Sequence, residues 1–183
     1  MGLRMTVELR TERLLLRRWS GKDREAIAEM DADPEVMRYI GDGSVRDPEL
    51  AGETIERFER LWDEQGFGLF AVEWSATGEL AGWTGLAVPS FLPEVLPAVE
   101  IGWRLRREFQ GRGIATEAAR ESMRFGFEEA GLDRLVSIHH PDNTASARVM
   151  EKIGLRFDRE TSVPKFGRRA RVTAITREQY SAP

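Results

Sequence analysis

The stretch from Val99 to Ala130 limits the possible folds of this chain more than any other. Val99 to Leu105 alternates apolar and polar residues with the period of a strand. The glycine-containing turn from Gln110 to Ala115 follows, and apolar residues then recur at helical spacing until Gly131. A strand that enters a long amphipathic helix through a glycine turn is typical of proteins that mix helices and strands in one layered domain.

The rest of the chain supports one mixed domain over residues 1–183. It contains no internal repeat, low-complexity tract or linker, and its length suffices to bury a core without metals or disulfides. The fold class predicted is α/β, of the mixed α+β kind. Strands are predicted over 9–19, 67–74, 80–88, 99–105, 135–139, 156–163 and 171–175, and helices over 23–32, 47–66, 112–130 and 143–153.

Composition excludes several classes of site. The chain has no cysteine, which rules out disulfides, thiolate metal sites and cysteine nucleophiles. With only two histidines, His139 and His140, a multi-histidine metal site is not expected, and we predict no metal.

Nothing in the sequence predicts a membrane or nucleic-acid partner. No apolar stretch approaches the ~20 residues that span a bilayer, and no secretory signal is recognisable. Residues 1–6 fit the bare myristoylation pattern, but no second anchoring signal accompanies them. The 27 basic and 31 acidic residues disfavour binding to nucleic acid. The interpretation is a soluble, cytoplasmic protein.

Charge is unevenly distributed along the chain. Residues 21–64 hold 14 acidic and 6 basic side chains, a net charge of −8, whereas residues 156–177 have a net charge of +5. Solvated helix faces explain most such runs. An acidic wall beside an active site would nevertheless favour a cationic substrate.

The glycine turn predicts an anion site. Free backbone N–H groups and the positive end of the helix dipole bind phosphate oxygens at a helix start. Gly111 and Gly113 allow close approach of a ligand, and Arg107 and Arg112 would add charged donors. The turn is neither G-x-G-x-x-G, because Thr116 occupies the last position, nor a Walker A loop.

The segment Gln110-x-x-Gly113-x-Ala115 resembles the acetyl-CoA motif (Q/R-x-x-G-x-G/A) of the GNAT superfamily of N-acetyltransferases. The resemblance covers nearly the whole chain and is to the RimJ/RimL-like branch, which includes ribosomal-protein N-terminal acetyltransferases. Further motifs follow in the order of that branch, and their order and spacing make the match specific: Thr11 to Arg17, Asp33 to Met37, Gly66 to Gly68, Glu100 to Trp103 and Asn143 to Gly154.

The resemblance implies a GNAT fold, with a mixed, mostly antiparallel sheet whose splayed central strands are flanked by helices. The pantetheine arm of acetyl-CoA would lie in the V between those strands, where Gly102 would suit a β-bulge. Backbone groups of Trp103, Arg104 and Leu105 would pair with the pantetheine amides. The pyrophosphate would be held at the turn, by Gln110, Gly111, Arg112, Gly113, Ile114, Ala115 and Thr116.

Three further candidates for the cofactor site, Asn143, Arg148 and Lys152, follow the fifth predicted strand. Asn143 matches the family asparagine that binds pantetheine, but asparagine is also among the best helix N-caps. Arg148 and Lys152 lie four apart on one helix face, a repulsive spacing. A 3′-phosphate would relieve that repulsion, as would water or Glu151.

Direct attack of an amine on the thioester needs a base for the amine and an acid for the leaving thiolate. Glu100 is the candidate base, through water, unless it is an exposed strand residue. The helix after Asn143 lacks the tyrosine that many GNAT enzymes use as the acid. Ser146 could replace it, or simply be a small residue of the first helical turn. His139, or its neighbour His140, could titrate near neutral pH there.

The predicted function is therefore acetyl-CoA-dependent N-acetylation of a primary amine, on a protein N-terminus, a polyamine or an aminoglycoside-like molecule. A homodimer is left open. The alternative is a catalytically silent CoA-binding sensor or scaffold of the same fold, which the missing tyrosine favours and the presence of Glu100, Asn143 and Ser146 disfavours. A nucleotide-binding protein that uses the same turn is a third possibility.

Overall fold

A computed structural model describes residues 7–181. The myristoylation-like start lies outside them. The strands are β1 Leu9–Arg10, β2 Leu14–Arg17, β3 Leu69–Trp74, β4 Glu79–Ala87, β5 Val99–Leu105, β6 Arg134–His139, β7 Arg156–Val163 and β8 Arg168–Thr176. The helices are α1 Arg24–Ala32, α2 Pro34–Met37, α3 Ala51–Gln65, α4 Ile114–Arg124, α5 Thr144–Lys152 and α6 Arg177–Ser181.

The eight strands form one sheet in the order β1-β2-β3-β4-β5-β6-β8-β7. Every neighbouring pair is antiparallel except β5 and β6, which are parallel and joined through α4. A parallel pair needs such a crossover because its second strand must start at the same end as its first. The predicted mixed, mostly antiparallel sheet is confirmed.

The central strands β5 and β6 separate soon after they meet. Only Val99 with Leu135 and Glu100 with Val136 are in register. The hydroxyl of Ser137 then donates a hydrogen bond to the carbonyl of Ile101 at 2.7 Å, at the vertex of the gap. The predicted splay is confirmed.

The sheet separates two apolar cores. One contains Ile114, Ala118 and Met123 of α4 and the buried β5 residue Ile101. The other contains α1 and α3 side chains, among them Ile27 and Phe58, packed on Leu69 and Ala71 of β3. The alternation of β5 therefore places Ile101 in the α4 core, and its neighbours Glu100 and Gly102 on the face toward α1 and α3.

Several sequence predictions need correction. Residues 9–19 form two strands, because the chain turns at Thr11, whose N–H donates to the Leu14 carbonyl at 3.0 Å. The helix predicted from Arg112 begins at Ile114, since Gly111 and Gly113 have positive φ, and it continues after Arg124 as a π-helical turn. Gly102 forms no bulge in the β4–β5 ladder: its register with Gly85 is unbroken.

Among residues 7–181, no helix combines the length and the apolar composition that crossing a membrane requires.

Candidate active site

The start of α4 presents free backbone donors. The first helical hydrogen bond runs from the N–H of Glu117 to the carbonyl of Gly113 at 3.1 Å. The N–H groups of Ile114, Ala115 and Thr116 therefore have no partner from within the helix. Gly113, the N-cap residue, carries no side chain that could take them. This arrangement suits an anion such as a pyrophosphate.

The glycine turn is held in place by residues that the sequence did not reveal. Arg13 donates to the carbonyl of Arg112 at 3.0 Å and forms an ion pair with Glu117 at 2.7 Å. The guanidinium of Arg112 lies 4.7 Å from the ring centre of Trp74. No local pattern connects Arg13 with Glu117, 104 residues away. Arg107, expected as a phosphate donor, instead pairs with Asp33.

One edge of β5 faces the gap toward β6. The carbonyl of Ile101 accepts from Ser137, and that of Leu105 accepts from Nε2 of Gln110 at 3.0 Å, so both point into the gap. Strand alternation turns the backbone of Trp103, between them, in the same direction. The carbonyl of Gly102 points the other way, toward β4, where it accepts a hydrogen bond from the hydroxyl of Thr84. The Trp103 backbone lies beyond the two residue pairs that join β5 to β6. Its backbone groups can therefore pair with a ligand that adds to β5 as a strand.

A cavity of about 150 Å³ lies at the gap. It unites five residues predicted for the site, namely Glu100, Trp103, His139, Asn143 and Ser146. Gly102 and His140, which the sequence analysis also considered, line the cavity as well. The remaining lining residues were not singled out from the sequence: Tyr39, Ile40, Leu69, Trp83, Ala87, Ser137, Ile138 and Met150.

Glu100 has the properties of a proton acceptor. Burial against the cavity raises the pKa of its carboxyl from 4.5 to about 8, although the N–H of Ile138 donates to it and favours the charged form. Desolvation makes the carboxylate basic. Glu100 is thus not an exposed strand residue: it is half-buried and lines the cavity, whereas Ile101 is in the core.

Asn143 caps α5: its Oδ1 accepts from the N–H of Ser146 at 3.2 Å. The N-cap alternative is thus confirmed, and the role toward pantetheine stays a prediction. Ser146 is half-buried and lines the cavity. Arg148 and Lys152 are exposed on α5, where their binding of a 3′-phosphate also stays a prediction. Nearby, Arg120 donates to the Lys152 carbonyl at 3.0 Å.

The two histidines of the cavity differ in their hydrogen bonds. Nδ1 of His139 lies 2.9 Å from the His140 carbonyl, which can only accept, so this nitrogen carries the proton. Burial lowers the pKa of His139, which favours the neutral ring with an unprotonated Nε2. Nδ1 of His140 accepts from the N–H of Asp142. The His140 ring stacks on Tyr39, with ring centres 5.5 Å apart.

Comparison with known proteins identifies the family of this chain. The sequence profile of the acetyltransferase (GNAT) domain matches residues 13–156. The chain belongs to the GNAT acetyltransferases. The N-acetyltransferase YnaD of Bacillus subtilis (strain 168), whose function is uncharacterised, is 31% identical over 158 residues, 82% of this chain and 83% of YnaD.

Two further proteins extend the comparison. FsC-acetyl coenzyme A-N(2)-transacetylase of Aspergillus fumigatus is 32% identical over 98% of this chain and 80% of its own length. The structure of Mycobacterium smegmatis RimJ in complex with CoA-disulfide superposes with a TM-score of 0.76 at 21% identity, covering 97% of this chain and 89% of RimJ. The latter is a likeness of fold.

In this GNAT domain, acidic residues of segment 21–64 do not build the expected acidic wall of the cavity. None of them lines it. Six pair with arginines, namely Asp23, Glu29, Asp31, Asp33, Glu59 and Asp63. Among residues 7–181, no group of three or more His, Asp or Glu side chains is arranged to hold a metal ion.

Proposed function

We propose that this GNAT domain transfers an acetyl group from acetyl-CoA to a primary amine by direct attack. The observation that carries the proposal is the free edge of β5 at Trp103, which lies between the uncapped start of α4 and the cavity at Glu100. The relative from Aspergillus fumigatus, whose name is FsC-acetyl coenzyme A-N(2)-transacetylase, supports acetyl-CoA as the donor.

The chain offers matching groups for the pyrophosphate, the pantetheine and the 3′-phosphate of acetyl-CoA. The N–H groups of Ile114, Ala115 and Thr116 suit the pyrophosphate, together with the glycine turn from Gln110. The backbone of Trp103 to Leu105 and the amide of Asn143 suit the pantetheine amides. Arg148 and Lys152 supply exposed positive charge for a 3′-phosphate.

Glu100 would take the proton of the acceptor ammonium, directly or through one water. The neutral amine nitrogen then forms the new bond to the thioester carbonyl carbon and the carbon–sulfur bond breaks, while the proton that the nitrogen loses on forming the amide ends on the departing sulfur, which leaves as the CoA thiol. Ser146 would donate a hydrogen bond to the departing thiolate, in place of the tyrosine that α5 lacks. His139, with its unprotonated Nε2, is a second acceptor that could pass the proton onward.

The acceptor is a primary amine. The protein N-terminus, polyamine and aminoglycoside-like classes derived from the sequence all satisfy the chemistry. A panel from these classes, incubated with acetyl-CoA and followed by CoA release and product mass, tests the proposal. Binding of acetyl-CoA without turnover on any amine would favour the sensor alternative and contradict the enzyme.

The variant Glu100→Gln gives the sharper test. It keeps the size of the side chain and removes the base, so kcat/KM should fall about 10²- to 10⁴-fold. Acetyl-CoA should still raise the melting temperature of the variant, since the cofactor surface is intact. Wild-type activity should rise with pH as Glu100 ionises toward pH 8. Unchanged kcat/KM in the variant would remove Glu100 from the mechanism.

A further inference from the structure

The part of the cavity that receives the acceptor can be separated from the part that receives the donor. Asn143, the N-cap of α5, and Ser146 and Met150 within α5 line the side of the cavity that the proposed function assigns to acetyl-CoA. The opposite side, here called the acceptor wall, is formed on the α1 and α3 face of the sheet. The acceptor wall consists of Tyr39, Ile40, Leu69, Trp83 and Ala87.

The acceptor wall is apolar and aromatic. Among the described residues that line the cavity, Glu100 is the one carboxylate, and no lysine or arginine is included. Glu100 lies directly across from Ala87 in the β4–β5 register, so it stands at the edge of this wall. One ammonium group can therefore be paired by a carboxylate within the cavity, whereas a second one against the acceptor wall would lack a counter-ion.

Aromatic rings can bind cations, but the rings of this wall already do so. The guanidinium of Arg104 lies 5.2 Å from the ring centre of Trp83. The ring of Tyr39 stacks on His140 and has Arg38 at 5.3 Å. A further cation at either ring would meet existing positive charge, so cation–π binding does not favour it.

The charge behind the acceptor wall also disfavours a second ammonium group there. Arg104 is buried and pairs with Asp31 at 2.6 Å, and Asp31 also pairs with Arg46 at 3.3 Å. Asp31 thus pairs with two arginines, Arg104 and Arg46, on the far side of Trp83.

We infer that the acceptor is a monoamine with an apolar or aromatic body, whose one ammonium is paired by Glu100 and whose body lies against the acceptor wall. This inference rests on the proposed acetyl transfer. It disfavours polyamines and aminoglycosides, which carry further ammonium groups.

A matched pair of amines tests the inference. Hexan-1-amine and pentane-1,5-diamine have the same chain length, and differ in a terminal methyl against a second ammonium. With acetyl-CoA, we expect kcat/KM to be at least about tenfold higher for hexan-1-amine, because the second ammonium would be desolvated without a partner. Equal rates, or a preference for the diamine, would overturn the inference.

Two variants of Ile40 test whether charge in the acceptor wall decides which amine is preferred. Ile40→Glu adds a carboxylate to the acceptor wall and should shift the preference toward the diamine by about tenfold. Ile40→Gln, of the same size without the charge, should keep the preference for hexan-1-amine. The same shift in both variants would mean that cavity shape and not charge decides.

Binding separates failure of the inference from failure of the proposed function. Calorimetry with CoA-loaded protein measures both amines without turnover. Tighter binding of hexan-1-amine without acetylation would support the inference and contradict the enzyme. Acetylation with tighter binding of the diamine would do the reverse. If neither amine binds, the cavity is not the acceptor site and the inference fails.

Discussion

At the scale of single residues, the cavity holds a carboxyl group in an unfavourable place for its charge. Burial raises the pKa of Glu100 to about 8. A raised folded-state pKa stabilises the fold at pH values below the unfolded pKa, and this contribution is lost as the pH rises through the folded pKa. The contribution of Glu100 to stability should therefore be lost between about pH 4.5 and pH 8.

The variant Glu100→Gln should flatten that dependence. An uncharged amide bears no such cost, so at pH 8 the variant should exceed the wild type in unfolding free energy by roughly 4 kcal/mol, since the pKa rises from 4.5 to about 8 and each pKa unit corresponds to about 1.4 kcal/mol. Chemical denaturation at pH 5 and pH 8 measures this. Parallel pH profiles for both proteins would contradict a buried, raised Glu100.

A second residue-scale prediction concerns Asp31, the buried partner of Arg104. Asp31→Ala should cost about 3–5 kcal/mol of unfolding free energy, because it leaves a buried guanidinium without its counter-charge. Glu29→Ala, on the same helix, removes an exposed partner of Arg106 and should cost less than about 1 kcal/mol. Similar melting temperatures for the two variants would contradict this difference.

At the scale of elements, the hairpin between β7 and β8 fastens the segment that carries part of the acceptor wall. Arg168 donates to the carbonyls of Gly41 and Arg38, each at 3.1 Å. A Cβ built at Gly41 would lie 3.8 Å from the Phe166 ring, so the hairpin also packs there. Tyr39 and Ile40 lie between these carbonyls and depend on the hairpin for their position.

Removal of the two Arg168 hydrogen bonds should weaken binding of the acceptor and leave binding of acetyl-CoA unchanged. We expect Arg168→Ala to raise the acceptor KM several-fold, because residues 38–41 lose two charge-assisted hydrogen bonds, each of which contributes about 1.5–3 kcal/mol at most. The Kd for acetyl-CoA, measured by calorimetry, should not change. Arg169→Ala, at an exposed neighbour, is the control. A weaker Kd for acetyl-CoA in Arg168→Ala would show a general disturbance instead.

At the scale of the whole molecule, local patterns predicted much of the fold. Alternation and helical spacing identified β3 to β8 and the main helices, and the positive φ of Gly111 and Gly113 accounts for the glycines of the turn. These patterns arise among residues that are close in sequence, so they can be recognised in a single sequence. The parted strands were inferred from family resemblance, and the register of β5 with β6 agrees.

The contacts that the sequence did not predict are those between distant segments. Tyr39 and Trp83 show no chemistry motif. Trp83 reaches the cavity because β4 pairs with β5, and Tyr39 reaches it from the turn after α2, where its ring stacks on His140. Likewise the acidic surplus of residues 21–64 suggested an open acidic surface. Pairing with arginines such as Arg18, Arg104 and Arg106 is a tertiary property that charge counting does not contain.

The gap between β5 and β6 also divides the molecule mechanically. Strands β1 to β5 and β6 to β8 are two sub-sheets, and only two register pairs connect them. A ligand that hydrogen-bonds along Trp103 would act as the missing strand and join the halves into one cooperative unit. Amide hydrogen exchange in β5 and β6 should therefore slow on acetyl-CoA binding, well beyond the residues that touch the ligand.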